Sequence, residues 1–306
     1  MTIALIAGTG GVPPHVARTL VAQGRPPILC EMRGFPSEIK GEFTRIPFRI
    51  ETLGTLLATL KAMNVSEICM VGAVRRPEVD PSAIDAATAP LVPRVQAAMA
   101  KGDDGTLRGI VALLEEYGFS IVGAHQIAPD LLPAAGVLTK VSPPDLTNDI
   151  AVAVTAISEM GRSDMGQALL VRDGQVIARE DARGTAALLS DFALPIEPSK
   201  TLGGGDPLAA LVDGVGDLLA GAADWLSGQD GDANQAPGDG AFLYKAPKPG
   251  QLRVADMPTI GPETAMKAAE AGLSGIVIAE GGVMVLDLPQ VLAILDGQGM
   301  FLWVAP

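Results

Sequence analysis

The chain of 306 residues carries 22 Lys and Arg against 35 Asp and Glu, a net charge of −13 with a pI near 4.6. Such a field repels polyanions, which argues against nonspecific binding to nucleic acid or to an anionic bilayer and obliges any anionic ligand to find local lysines, helix N-termini or a metal. With 48% hydrophobic residues there is material for real cores, and the length exceeds what one core usually organises, about 100–200 residues, so two domains are expected.

In chain order, Ile3 to Ala7 reads as a buried strand, Gly8-Thr9-Gly10-Gly11 as a turn, Pro14 to Gln23 as a helix and Pro27 to Cys30 as the next strand. Thr52 to Met63 has apolar residues at helical spacing, Glu67 to Val71 is strand-like, and Ala83 to Ala100 is broken by prolines. Asp103 to Tyr117 is amphipathic and Phe119 to Val122 is another strand. This alternation implies a parallel sheet covered on both faces. Pro129 to Pro144 reads as a linker, and a helix near Asn148 to Met160 opens the second part.

There QALLVRDGQVIARE predicts two strands around Asp173-Gly174, a pair that tolerates positive φ. Thr185 to Phe192, Pro262 to Ala271 and Pro289 to Leu295 read as helices; Gly275 to Ala279, Val283 to Leu286 and Met300 to Val304 read as strands. In the Gly-, Asp- and Ala-rich stretch Pro198 to Gly240, Leu208, Leu211, Val215 and Trp225 fall at helical spacing, which reads as a helix docked on its own domain. The expected fold is therefore two α/β domains: an N-terminal Rossmann-like parallel sheet over 1–133, a linker over 134–144, and a C-terminal mixed α/β domain over 145–306 with an insertion at 198–240.

Cys30 and Cys69 both lie in apolar strand-like runs, so buried reduced thiols are expected in place of a disulfide or metal pair. The opening MTIALIAGTGG lacks a basic n-region, and no apolar run reaches about 18 residues. A cytoplasmic protein is expected.

Four stretches could carry chemistry. AGTGGVPPH places successive amides, around Gly8, Gly10 and Gly11, and a helix N-terminus at the end of the first strand, a phosphate-binding arrangement that lacks the third glycine of the dinucleotide fingerprint. In KGDDGTLRG, after Lys101, one of Asp103 and Asp104 is expected to cap a helix and the other to remain for function or a hard cation. His125 follows a strand, where open sheets place ligands, although a lone histidine is more often structural. Arg75, Arg76, Lys245, Lys248 and Arg253 are candidate cations for a phosphorylated ligand, and Asp256 follows the last of them; each also reads as an ordinary surface or turn charge.

In this order, LIAGTGGVPPHVA, VGAVRRP, KGDDGTLR, EEYGFSIVGAHQI, DMGQALLVRDGQVIA, GTAALL, KAPKPGQLRV and DMPTIGPET resemble the bacterial UDP-2,3-diacylglucosamine pyrophosphatases of the LpxI type over nearly the whole chain outside the insertion. The resemblance implies hydrolysis of the substrate diphosphate to UMP and 2,3-diacylglucosamine 1-phosphate (lipid X) in lipid A synthesis. It further implies Mg²⁺, a homodimer with the ligand between two α/β domains, and peripheral contact with the inner membrane surface. Asp256 matches the family's essential aspartate, with Mg²⁺ as its implied partner. Substrate contacts are implied for Gly8, Gly10, Gly11, Arg76, Lys101, Asp103, Asp104, His125, Gln167, Gly184, Thr185, Lys245, Lys248, Thr259 and Gly261.

Three departures from the family pattern stand out. The usual E-G-T-D reads Arg183-Gly184-Thr185-Ala186, so two acids are gone; Ala255 is an extra residue before Asp256; and the insertion is long. The first of these motivates an alternative, a lipid or sugar-nucleotide binding protein of the same fold without hydrolysis. A nicotinamide-dependent oxidoreductase rests only on the βαβ opening.

Overall fold

The computed structural model describes residues 2–74, 78–163, 165–193 and 240–306, with the backbone alone at 103. The helix expected over 208–225 lies outside them. The first half alternates as its sequence predicts: β1 (Thr2–Ala7), α1 (Val12–Ala22), β2 (Ile28–Met32), β3 (Arg45–Phe48), α2 (Leu53–Ala62), β4 (Val65–Val71), α3 (Val92–Met99), α4 (Gly102–Glu116), β5 (Ser120–Ile121) and α5 (Ala124–Ile127). Its five strands are parallel in the order β3-β2-β1-β4-β5, so the order reverses between β1 and β4. At such a reversal the connections leave on opposite faces and open a crevice outside the strand carboxyl ends.

Alternation along β1 builds the two cores. Ile3, Leu5 and Ala7 join Val16, Ala17 and Leu20 of α1 on one face. Ala4 joins Leu53, Leu56, Leu57 and Leu60 of α2 on the other. With buried Pro13 added to the α1 set, both helical sets are spaced i, i+3, i+4, i+7, the stripe a helix presents to a sheet. Cys30 and Cys69 are fully buried and reduced, and burial pushes both thiols up to about 12, so they are inert packing groups at neutral pH.

The second half contains β6 (Gly136–Val137), α6 (Thr147–Arg162), β7 (Ala168–Arg172), β8 (Gln175–Arg179), α7 (Thr185–Ser190), β9 (Phe242–Lys245), β10 (Thr259–Ile260), α8 (Pro262–Glu270), β11 (Gly275–Ala279), β12 (Met284–Val285), α9 (Leu288–Gly297) and β13 (Phe301–Ala305). Its mixed six-stranded sheet has the order β6-β13-β11-β9-β7-β8. The β7–β8 hairpin turns at Asp173 and Gly174 with φ of 51° and 72°, as the dipeptide predicts. Gly136–Val137 pairs with β13, so the stretch read as a linker contributes an edge strand. β10 and β12 form a separate two-stranded parallel ribbon. Among the described residues no helix is long and apolar enough to cross a membrane.

Besides the two-residue strands β6 and β10, two strands escape the sequence reading. β3 contains Pro47 and is half exposed, a pattern tolerated because it is an edge strand. β9 is a short run ending in a lysine, yet it lies between β11 and β7 at the centre of its sheet.

Away from the crevice, Glu51 is 2% exposed and ties down the segment around residue 80. It accepts bonds from Arg49 Nε and Nη2 at 3.1 and 2.9 Å and from the Asp80 amide at 2.8 Å. The Arg49 guanidinium and then the Asp80 amide hold its carboxyl at about 2 in place of the ordinary 4.5. A carboxylate with a depressed folded-state pKa stabilises above its unfolded value and ceases to do so as the pH falls through the folded one. Glu51→Gln is expected to lower the urea midpoint at pH 7, with the gap to wild type closing as the pH falls from 4.5 toward 2; a gap independent of pH would contradict this assignment.

Candidate active site

The two sheets meet along a cleft of about 470 Å³, within the roughly 300–1,000 Å³ usual for small-molecule sites. One wall is the crevice at the β1/β4 reversal, formed by Thr9 to Val12 and Met70 to Ala73. The other comprises Gln167, Lys245, Arg253 to Met257 and Thr259 to Thr264.

The glycine turn is a packing device as much as a cradle. The Gly8 amide donates to Val71 O at 2.9 Å, and Thr9 and Ala73 exchange amide–carbonyl bonds at 3.0 Å. A Cβ on Gly8 would fall 2.4 Å from Ala73 O, so only glycine fits there, while Gly10 turns the chain at φ +99°. Pro13 and Pro14 have no N–H to offer. The amides of Gly10, Gly11 and Val12 are therefore the donors this turn brings to the cleft, and Gly8 is buried behind them. They stand at the start of α1, whose dipole favours negative charge there.

On the opposite wall Lys245 ends β9 almost fully buried, 5% exposed. Leu243 packs into the core beneath α7 and α8, while Phe242 and Tyr244 pack into the core beneath α6. The period of two then turns Lys245 toward α7, where its Nζ donates to Thr185 Oγ1 at 2.8 Å. Burial pushes the ammonium down from the usual amine range, and the carboxylates of Glu180 and Asp256 push it back. Asp256 is half-buried, and its Oδ2 accepts from Gln251 Nε2 at 2.7 Å. The same amide nitrogen bonds Gln167 Oε1 at 2.9 Å, and Gln251 Oε1 accepts from the Lys248 amide at 2.9 Å. Gln251 thus fixes the aspartate against its own loop.

Of the residues picked from sequence, Gly10, Gly11, Gln167, Lys245, Asp256, Thr259 and Gly261 line this cleft, with Arg253 beside them. Thr185 stands behind Lys245, preceded by Gly184 at φ +87°. Lys101, Asp104, His125 and Lys248 are not among its lining residues. Neither aspartate of KGDDG caps α4: the helix starts at Gly102, so Lys101 takes the cap position, and Asp104 pairs with Arg108 at 2.8 Å. His125 folds back beside Gly123, outside the cleft lining, where burial and then Arg253 lower its pKa. Arg75, Arg76 and the Asp103 side chain lie outside the described residues. Gln251 and Glu180 were not foreseen. Gln251 stands five residues before Asp256 in a stretch already singled out, whereas Glu180 carries no signal until the strands are assembled.

A family model described as the LpxI N-terminal domain matches residues 2–131. Another, the LpxI C-terminal domain, matches residues 134–202 and 219–303. The chain belongs to the LpxI family. One relative, the UDP-2,3-diacylglucosamine pyrophosphatase LpxI of Caulobacter vibrioides, is 33% identical over 301 residues, covering 98% of this chain and 95% of that protein.

For this LpxI family member the departures noted from sequence acquire positions. Arg183 is exposed and pairs with Asp181 at 2.8 Å and Asp191 at 2.9 Å, and Ala186 is an exposed residue of α7. Neither lines the cleft. The extra Ala255 is taken up in a tight turn in which the Ala255 and Asp256 amides both donate to Leu252 O at 2.9 Å, and Asp256 still lines the cleft. Gly8→Ala is expected to destabilise the protein by on the order of 2 kcal/mol, because its neighbour is backbone that cannot move aside. Thermal unfolding of the variant checks this, and an unchanged midpoint would show that the turn has slack.

Proposed function

We propose that this chain uses water to split the diphosphate of UDP-2,3-diacylglucosamine, giving UMP and 2,3-diacylglucosamine 1-phosphate. The observation that carries the reading is the pairing across one cleft of Asp256 and the buried Lys245 with the amides at the start of α1. The relative named for this reaction supports it along nearly the full chain. A diphosphate entering a protein of net charge −13 needs a local positive field, and Lys245, Arg253 and the Gly10, Gly11 and Val12 amides supply one.

In this reading Asp256, held by Gln251, orients the water that attacks one phosphorus. The bond from that phosphorus to the bridging oxygen breaks, and the electron pair leaves on the departing phosphate. Lys245 offsets the charge that accumulates there. Mg²⁺ fits as an ion carried on the diphosphate. Among the described residues no group of three His, Cys, Asp or Glu side chains could cage a metal, and Mg²⁺ at phosphates ordinarily takes one or two carboxylates with substrate oxygens and water. Asp256 would be the carboxylate, and the bound ion would neutralise charge on the phosphate oxygens.

The acyl chains belong, in the same proposal, to the adjoining cavity of about 1430 Å³, which meets the cleft at Gly11, Pro262 and Leu286 and includes Val21, Phe43 and Leu288. The homodimer and the peripheral membrane contact are further parts of this proposal. The reading as a binding protein rested on Arg183 and Ala186, which lie away from the cleft.

Purified protein with Mg²⁺ and UDP-2,3-diacylglucosamine is expected to release UMP. Asp256→Asn should lower turnover about 10²–10⁴-fold, whereas Arg183→Ala should stay within about twofold of wild type. No UMP from wild type, or full activity in Asp256→Asn, would refute the proposal.

A further inference from the structure

Glu180 follows β8, is 7% exposed and is not among the residues lining the cleft. Its Oε2 accepts from the Gln167 amide at 2.6 Å and its Oε1 from the Thr185 hydroxyl at 2.7 Å. That hydroxyl in turn accepts from Lys245 Nζ. Substrate contact does not account for this carboxylate, and an isolated buried charge costs several kcal/mol unless it is paired and hydrogen-bonded. The chain Glu180–Thr185–Lys245 gives two buried opposite charges a shared hydroxyl.

We propose that Glu180 is a positioning residue that, through Thr185, holds Lys245 as an ammonium at the cleft wall. The inference rests on the hydrolysis proposed above, because it concerns the cation meant to face the diphosphate. The groups packed around Lys245 leave few other candidates for this task. Its register partners, Ile278 on β11 and Ala168 on β7, and Thr185 on α7 are uncharged. The carboxylates that favour its charge are Glu180, then Asp256, and burial opposes both. Asp256 borders the substrate space, so Glu180 is the counter-ion that stays in place when a second anion arrives.

Two measurements test this. If Lys245 must be protonated, hydrolysis falls as the pH rises through its pKa. Glu180→Gln, nearly isosteric, should move that alkaline limb of kcat/KM to lower pH by on the order of one unit. Thr185→Val, which keeps both charges and removes the bridge, should move it the same way. An unmoved limb in both variants overturns the proposal, however large the loss of rate.

The second readout needs no activity. A lysine whose folded pKa lies below its unfolded one makes the protein more stable as the pH rises between the two, because the unfolded chain then binds more protons. The thermal midpoint of wild type relative to Lys245→Met should therefore rise with pH. In the Glu180→Gln background the rise should begin at lower pH. Coincident curves in the two backgrounds overturn the proposal whatever the rates. Displaced curves without UMP release would instead sink the hydrolysis reading and leave the Glu180–Lys245 coupling standing.

Discussion

The cleft exists because the segment from Met257 to Leu286 belongs to two hydrophobic cores at once. Met257 and Met284 are buried with Ile3, Leu5 and Val71 of the first sheet, whereas Ile260, Val283 and Val285 are buried with Leu243, Ile276 and Leu302 of the second. The β10–β12 ribbon has a period of two, so neighbouring residues face opposite ways and one short ribbon fastens both layers. Each such side chain contributes roughly 1.5–3 kcal/mol by burial. Leu286 completes the join: a Cβ on Gly11 would fall 2.4 Å from its Cδ2, so the glycine turn and the ribbon interlock. Asp256 is the residue immediately before this fastening, and its position relative to the β1/β4 crevice follows from it.

Electrostatics then separate charges that matter from charges that do not. Arg183 with its two aspartates and Arg94 with Glu116 are exposed pairs, worth little in high dielectric. Lys245 is the opposite case, a buried ammonium whose cost is offset by Glu180, Thr185 and the proximity of Asp256. An acidic protein can therefore present a fixed positive charge to an anion at one place while its overall field remains repulsive. Arg183, just before α7, and Ala186 on it are both exposed, and neither lines the cleft.

Much of the fold was legible because its signals are local. The strand–helix alternation, the Asp173-Gly174 hairpin and the stripes on α1 and α2 follow from short-range periodicity. What escaped has physical reasons. β3 hides behind Pro47, which only an edge position tolerates. β9 hides because a strand buried on both sides needs no alternation of polarity and here ends in a lysine. The expected cap of α4 fails because the helix begins at Gly102, ahead of both aspartates, and leaves Lys101 at the cap position.

By itself the sequence determined the α/β alternation, the family, and Asp256, Lys245, Gln167, Thr259 and Gly261 as residues to watch, because each sits in a contiguous motif. Only the tertiary structure decided which of the candidates share a cleft. It gathered these with Gly10 and Gly11, and placed Gly8, Lys101, Asp104, His125 and Lys248 elsewhere. It also supplied Gln251 and Glu180, the partners that orient the aspartate and face the lysine. The reason is range: a motif encodes neighbours along the chain, whereas Glu180 and Lys245 are joined across an insertion by Thr185, and that meeting is set by how β8, α7 and β9 pack.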